Sequence, residues 1–440
     1  MNKTICFVAI QLLAWMTPVA YSQVPPPAPP QSAPVLLTGA TIHTITGETI
    51  EDGQLLFVDG KIAAVGKTVE APSQTTAVSF AGQHIYPGMI EAYSQIGLTE
   101  ISSIPATLDH TETGSINPNV HAQVAINPDS DIIPVTRSGG VLLALSVPTG
   151  GMISGRSTLI QLDGWTYEDM TVLPNAALHL NWPSSFRPAR RRPVPNEDQA
   201  SPDDRIRELR ELFEQARNYR QLREQPSSGQ SLDLRLEGLG DVVTGKIPLM
   251  VRADQLADIQ AAVAFAVEQK TKLIILGGYD APMCADLLKK HDVPVIVSAV
   301  YRLPLRKSDP DDHAYTLPAR LQAAGIRFCI SSADRSETWN SRNLPFHAGT
   351  AVAFGLSADE ALKAVTLYPA RILNVADRVG SLEVGKDATV FVSSGDPLDT
   401  RSSITAAFIQ GRAVDLSNRQ TRLYEKYKLK YEQQKPASPK

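Results

Sequence analysis

The chain has 440 residues, 43% of them hydrophobic, which is more than one core ordinarily serves, so two domains are expected. A formal net charge of −4 and a pI near 6.1 exclude the overall basic surface that nucleic acid or an anionic membrane attracts. Apart from the first residues, which are themselves too short a span, no segment approaches the length of a membrane crossing.

Residues 1–22 read as a secretory signal, with Lys3 as the positive end, an apolar run from Ile5 to Ala14, and Ala20-Tyr21-Ser22 as a small-x-small cleavage site. A periplasmic or secreted location follows from that reading. Cys6 lies inside the run and leaves with it. Of the two remaining thiols, Cys284 falls in a helix-like stretch and Cys329 in a strand-like one far along the chain. Two buried free thiols are therefore expected rather than a disulfide, although an oxidising compartment would allow the pair.

Residues 23–34 form a Pro-rich linker without a core of its own. Over 35–85 short alternating runs are punctuated by Gly39, Gly47, Gly60, Gly66 and Gly82, the pattern of a small antiparallel β unit. Asp59-Gly60 between two apolar runs predicts a hairpin, since both turn residues tolerate positive φ.

From 86 to 374 strand-like segments alternate with helix-like ones, which predicts an α/β fold with a largely parallel sheet. The strand candidates are Val141–Val147, Leu249–Val251, Leu273–Leu276, Val293–Val297 and Arg327–Ile330, and helical periodicity runs over Ala253–Gln269 and Ala281–Lys290. Residues 183–235 are an insertion that opens on a Pro- and Arg-rich stretch with Arg187, Arg190, Arg191 and Arg192, expected to be a solvated loop rather than a grip on an acidic partner. It leads into a helix capped by Ser201, with Pro202 at its first position and Asp203 and Asp204 at the positive end of the dipole. Ile206, Leu209, Phe213 and Ala216 make its packing face. Amphipathic helix follows over Ser357–Leu373. The tail, 419–440, is basic and helical, with Tyr424, Tyr427 and Tyr431, and is expected to dock on the surface.

Two stretches carry a family resemblance. Tyr86-Pro87-Gly88-Met89-Ile90-Glu91-Ala92-Tyr93-Ser94-Gln95-Ile96-Gly97 resembles the amidohydrolase superfamily signature Pro-Gly-apolar-Ile-Asp-x-His-x-His-x-Gly. Gly380-Ser381-Leu382-Glu383-Val384-Gly385-Lys386-Asp387-Ala388 resembles that superfamily's return strand, Gly-Ser-Leu-Glu-x-Gly-Lys-Asp-Ala. The resemblance implies a TIM-like (β/α)8 barrel over 86–374 and a small composite β-sandwich built from 35–85 and 375–418. Gly151–Gly164 would lie over one mouth of that barrel. The nearest flavour is the secreted imidazolonepropionase-like group, which the resemblance links to hydrolysis of non-peptide carbon–nitrogen bonds.

In that superfamily, as the resemblance implies, a divalent metal sits at the C-terminal mouth among His-x-His of the first strand, a His from each of the fifth and sixth, and an Asp from the eighth. Here Glu91 replaces the signature Asp, and Tyr93 and Gln95 stand at the His-x-His places. Arg252 stands at the fifth-strand His and Gly277 at the sixth. A phenol and an amide are weak ligands, an arginine repels a cation and a glycine offers nothing. Asp334 is the nearest match to the proton-accepting Asp, one residue out of register, and an Arg252–Asp334 ion pair across the old metal site would be a natural replacement. His347 follows closely enough to face the same mouth.

Two readings stay open. In the first, the protein holds no metal or other cofactor, Arg252, Tyr93, Gln95, Glu91 and His347 bind a small-molecule ligand, and a homologous subunit is a possible partner. In the second, an active hydrolase holds Zn²⁺ or another divalent metal through altered ligands such as Glu91, Asp334 and His347, and acts on amides, lactams or imidazolones. A purely structural envelope protein is a third class, favoured only by the Pro-rich linker and the tyrosine-bearing tail.

Overall fold

The computed structural model describes residues 24–184, 201–224, 231–332 and 338–434. The signal segment, the arginine cluster of the insertion and Asp334 lie outside the described residues.

The N-terminal β unit comprises β1 (Val35–His43), β2 (Thr49–Val58), β3 (Lys61–Gly66), β4 (Thr76–Ser79) and β5 (His84–Pro87). β2 and β3 form the predicted hairpin, with Asp59 at φ 50° and Gly60 at φ 77°, the two left-handed positions that such a turn requires. The α/β part then contributes β6 (Met89–Ser94), β7 (Val141–Ser146), β8 (Ile153–Arg156), β9 (Thr158–Gln161), β10 (Thr171–Leu173), β11 (Leu178–Asn181), β12 (Leu249–Ala253), β13 (Leu273–Gly277), β14 (Val295–Val297) and β15 (Phe328–Ile330). The chain closes with β16 (Val390–Ser393), β17 (Ile404–Ile409) and β18 (Arg412–Ala413).

Both chain ends build one eight-stranded sheet, ordered β18-β17-β16-β5-β1-β2-β3 with β4 beside β1. β16 pairs antiparallel with β5, Val390 opposite Pro87. One face of this sheet carries Leu37, Ile42, Leu55, Phe57, Ile62, Ile85, Val390 and Val392, which form a core separate from the large one. The return motif supplies an electrostatic pin: Asp387 pairs with Lys61 and, at 2.9 Å, with Arg378.

The remaining strands form a four-stranded sheet, β10-β9-β7-β6, and a six-stranded sheet, β15-β14-β13-β12-β11-β8. β11 to β15 are parallel neighbours in chain order, buried on both sides and apolar as such sheets are. The Gly151–Gly164 run does not lie over a mouth. It supplies β8 and β9, which pair antiparallel with β11 and β7 and lengthen the two sheets. Among the described residues no ladder joins the two sheets, and side chains of β6 and the segment after β15 bridge them instead.

The helix Pro202–Arg223 starts at the predicted cap, where Ser201 and Asp204 exchange hydrogen bonds. It buries Leu209, Phe213 and Ala216, with Phe213 edge-on to Phe265 at 5.2 Å. Helices Ala358–Val365 and Leu367–Ile372 replace the single amphipathic helix expected there. The C-terminal helix Arg419–Gln433 departs from expectation: none of its side chains is buried, so it stands off the body rather than docking. Cys284 and Cys329 are both free and buried.

Candidate functional site

The site begins on β6, which carries Glu91 and Tyr93, with Gln95 just beyond its end. The register with β7 slips between Glu91 and Ser94, so the contacts of these side chains, rather than simple alternation, define the site. Glu91 is fully buried. Its carboxylate accepts from the hydroxyls of Ser331 and Ser332, from the Ser332 backbone N–H at 3.1 Å and from the Tyr93 N–H at 3.2 Å. Ser331 Oγ also donates to the Tyr93 carbonyl at 3.3 Å. These bonds close the gap between the first strand and the last.

Among the described residues no cation pairs with Glu91. Burial pushes its carboxyl up to about 7, against the opposite pull of the serine hydroxyls and backbone N–H groups. Burial, and then Glu91 itself, raises the Cys329 thiol well above its ordinary range.

Above Glu91 the Tyr93 ring meets two strands of the other sheet. The Arg252 guanidinium lies over it, 5.2 Å from the ring centroid, an arrangement favoured by the ring quadrupole. The His179 ring lies 6.2 Å away on its β11 strand. Asn181 opposes Arg252 and His179 opposes Met250 in the parallel register, so His179 and Arg252 share a face. His179 is buried, and burial first, Arg252 second, hold its pKa down to about 3. It is therefore a neutral imidazole, and its Nε2 has no partner among the described residues. Gln95 is also buried, and its Nε2 likewise has no partner among the described residues.

The other predicted positions are occupied differently. Gly277 has φ 105°, and a Cβ there would stand 2.7 Å from Asp254 Oδ1, so the Asp254 carboxylate fills the space of a sixth-strand side chain. Asp254 in turn accepts from Arg302 Nη1 at 3.3 Å. Arg302 belongs to the long connection after β14, which is held over this end of the strands by Tyr279. That ring is fully buried, stacked on His313 at 4.2 Å and covered by Arg302 and Arg306. Arg306 forks onto Asp280 at 2.8 and 2.6 Å.

His347 lies on the helix Leu344–Ala353. Its Nδ1 accepts from the Val300 N–H at 3.3 Å and its ring packs on Tyr301 at 4.2 Å. Burial lowers its pKa to about 4. It anchors the connection after β14, and among the described residues no hydrogen bond joins it to Glu91.

Of the predicted residues, then, Glu91, Tyr93 and Arg252 are brought together, Gln95 lies just beyond the end of β6, His347 is engaged elsewhere and Asp334 lies outside the described residues. Sequence reasoning passed over His179, Ser331 and Ser332. The signal for His179 was a lone imidazole in the alternating run Ala177-Leu178-His179-Leu180-Asn181; nothing local marks two serines as partners of a carboxylate 240 residues away.

A tightly held zinc-like ion needs several neutral nitrogen or carboxylate donors at fixed geometry. Among the described residues the donor set does not fit: the expected ligand positions carry a guanidinium lying on a phenol ring and a glycine whose space is taken. Among the described residues no group of three His, Cys, Asp or Glu is placed to hold an ion.

The architecture is a mixed α/β core completed by a sheet drawn from residues 35–87 and 390–413. A model of the amidohydrolase family matches residues 253–416. The crystal structure of an amidohydrolase from Thermotoga maritima superposes with a TM-score of 0.77 at 26% identity, covering 87% of this chain and 99% of that one. The amidohydrolase tasK of Hapsidospora irregularis is 22% identical over 400 residues, 83% of this chain and 39% of that protein. An imidazolonepropionase of Brucella anthropi is 27% identical over 148 residues, 33% of this chain and 35% of that protein. The chain thus matches less than half the length of these two relatives. Together these matches support the amidohydrolase superfamily for this chain.

Proposed function

We propose that this protein is an exported, metal-free amidohydrolase of the imidazolonepropionase-like kind, in which the mouth of a (β/α)8 barrel over 86–374 binds a small molecule or supports an active homologous subunit. In this reading the barrel is closed at β6 by the Glu91–Ser331–Ser332 clamp, and 35–85 with 375–418 form a composite sandwich beside it. The carrying observation is Arg252 lying over Tyr93: a fixed cation and an aromatic face stand where two metal ligands are expected. Gln95 and His179 add a buried donor and a neutral ring nitrogen without partners among the described residues, which a ligand with complementary polar groups would satisfy.

A second reading is an active hydrolase with altered ligands acting on amides, lactams or imidazolones. It draws on Glu91, whose pKa near 7 suits a proton acceptor. Against it, every Glu91 bond described above is to the protein's own hydroxyls and N–H groups, and His347 is spent on Val300.

Elemental analysis of protein purified without chelator, and again after incubation with Zn²⁺, separates the two. The proposal expects no bound metal in either sample. Near-stoichiometric metal that disappears in Asp334→Ala overturns it.

A further inference from the structure

A helix of 15 residues that buries nothing is marginal on its own, and Arg419–Gln433 is such a helix. Leu423, Tyr424, Tyr427 and Tyr431 are 42%, 65%, 50% and 63% exposed, and at 100° per residue they fall with Gln420 in one arc of about 100°. Lys428 borders the arc on one side, and Arg419, Lys426 and Lys430 on the other. Lys430 Nζ lies 5.9 Å from the ring centroids of both Tyr427 and Tyr431. Five basic and two acidic residues give this segment a net charge of +3, whereas the chain as a whole carries −4. The overall acidity therefore conceals a local basic, aromatic surface.

The position of the helix adds a second observation. Asn418 is bonded to Ser138 at 3.1 Å and Arg419 approaches Asp131 at 3.9 Å, at the two ends of the short helix Ile132–Arg137. Arg137 of that helix holds Asp163 at 2.8 Å, and Asp163 accepts from the Ala28 N–H at 3.2 Å. Val24–Pro27 lies in the adjoining cleft with Ile133, Pro134 and Trp165, and Trp165 is 69% exposed. The described chain thus begins, and its C-terminal helix departs, around one short helix. Upstream of Val24 the sequence carries the apolar run Ile5–Ala14.

Two copies of the helix are poor partners for each other. Both are positive, and a helix about 22 Å long buries far less than the roughly 1,200 Å² of a stable interface. An anionic bilayer suits every feature. Tyrosine and tryptophan rings sit at headgroup depth with their polar atoms hydrated, lysine stems lie along the apolar face with their charges in water, and acidic headgroups attract the flanking cations. No helix among the described residues is long and apolar enough to cross a membrane, so the contact is peripheral.

We propose that Arg419–Gln433 docks flat on an anionic phospholipid surface through Leu423, Tyr424, Tyr427 and Tyr431, with Lys426, Lys428 and Lys430 engaging the headgroups. The test uses residues 23–440, which carry both hydrophobic cores but not the apolar run, in co-sedimentation with vesicles of phosphatidylglycerol and phosphatidylcholine in equal parts, against phosphatidylcholine alone. Binding is expected only to the anionic vesicles and should weaken with salt. It should fall at least about tenfold in a Y424S/Y427S/Y431S variant and in a K426E/K428E/K430E variant. Both variants should keep the parent's melting temperature, since these side chains touch no core. Absence of binding by the parent, or equal binding by either variant, overturns the proposal. So does a dimer of the parent that is lost in the tyrosine variant, which would assign the face to a second copy.

Discussion

Two buried carboxylates, one at the junction of the chain ends and one on β6, are held by opposite means. Asp163, 3% exposed, is gripped by Arg137 at 2.8 Å and Arg412 at 3.1 Å. Burial raises its pKa while both guanidiniums pull it back. Glu91 has only hydroxyls and N–H groups around it, and burial carries its carboxyl to about 7. The difference teaches where each region's stability resides. The junction uses fixed charge to tie distant segments together, whereas β6 keeps a carboxyl that burial biases toward its protonated form.

The largest effect is expected from the purely apolar control. Phe391 is fully buried and stacked on Tyr86 at 5.4 Å, so Phe391→Ala should cost about 4 kcal/mol in a urea titration. A cost below about 1 kcal/mol would mean that the face β16 turns toward the large core adds little to the fold.

Next comes Asp163→Asn, which leaves Arg137, 3% exposed at its side chain, without its countercharge. A loss of about 3 kcal/mol is expected, and a neutral result would refute the role given to fixed charge at the junction.

Glu91→Gln sharpens the other half of the comparison through pH. The folded protein holds a proton on Glu91 that the unfolded chain releases between its ordinary pKa of 4.5 and about 7. The contribution is full below the lower value and lost as pH rises through the upper one. The difference in stability between wild type and Glu91→Gln should therefore fall by about 3 kcal/mol from pH 4 to pH 8. His43, His179 and His347, with pKa values lowered to about 4, 3 and 4, act in the opposite sense. Their stabilisation is lost as pH falls below 6.5, which is why the difference between variants, not the wild-type curve, is the quantity to measure. A flat difference would refute the assignment.

The smallest effect is Arg252→Met. Arg252 is exposed, so stability should change by less than about 1 kcal/mol. The His179 pKa, held down in part by Arg252, should rise by a measurable fraction of a unit in an NMR titration. An unmoved His179 would separate the two residues.

The sheets were legible wherever the determinant was local. The Asp59-Gly60 turn, the Ser201 cap and the apolar runs of β7, β12 and β13 each announce themselves within a few residues. The return motif placed β16, and in the structure its Asp387 meets Lys61 from the other end of the chain. The site was legible in part, because one short stretch of sequence carries Glu91, Tyr93 and Gln95. Its remaining members are matters of long-range geometry. Ser331 and Ser332 are ordinary loop residues until the fold brings them to Glu91, and His347 was placed by its nearness in sequence, whereas its helix turns it toward Val300. The tail was misjudged because amphipathic periodicity says that a face wants cover without saying whether this body provides it.

The pairing of β5 with β16 also fixes an order of events during synthesis. β5 is complete at Pro87 and its outer edge stays unpaired until Val390 has been made, roughly 300 residues later. Throughout that interval the N-terminal unit presents a bare strand edge and half of an apolar core, the state most open to mispairing with another chain. Premature termination between these points should therefore yield an aggregating product rather than a smaller folded protein, which makes the last 50 or so residues a checkpoint for the first 90.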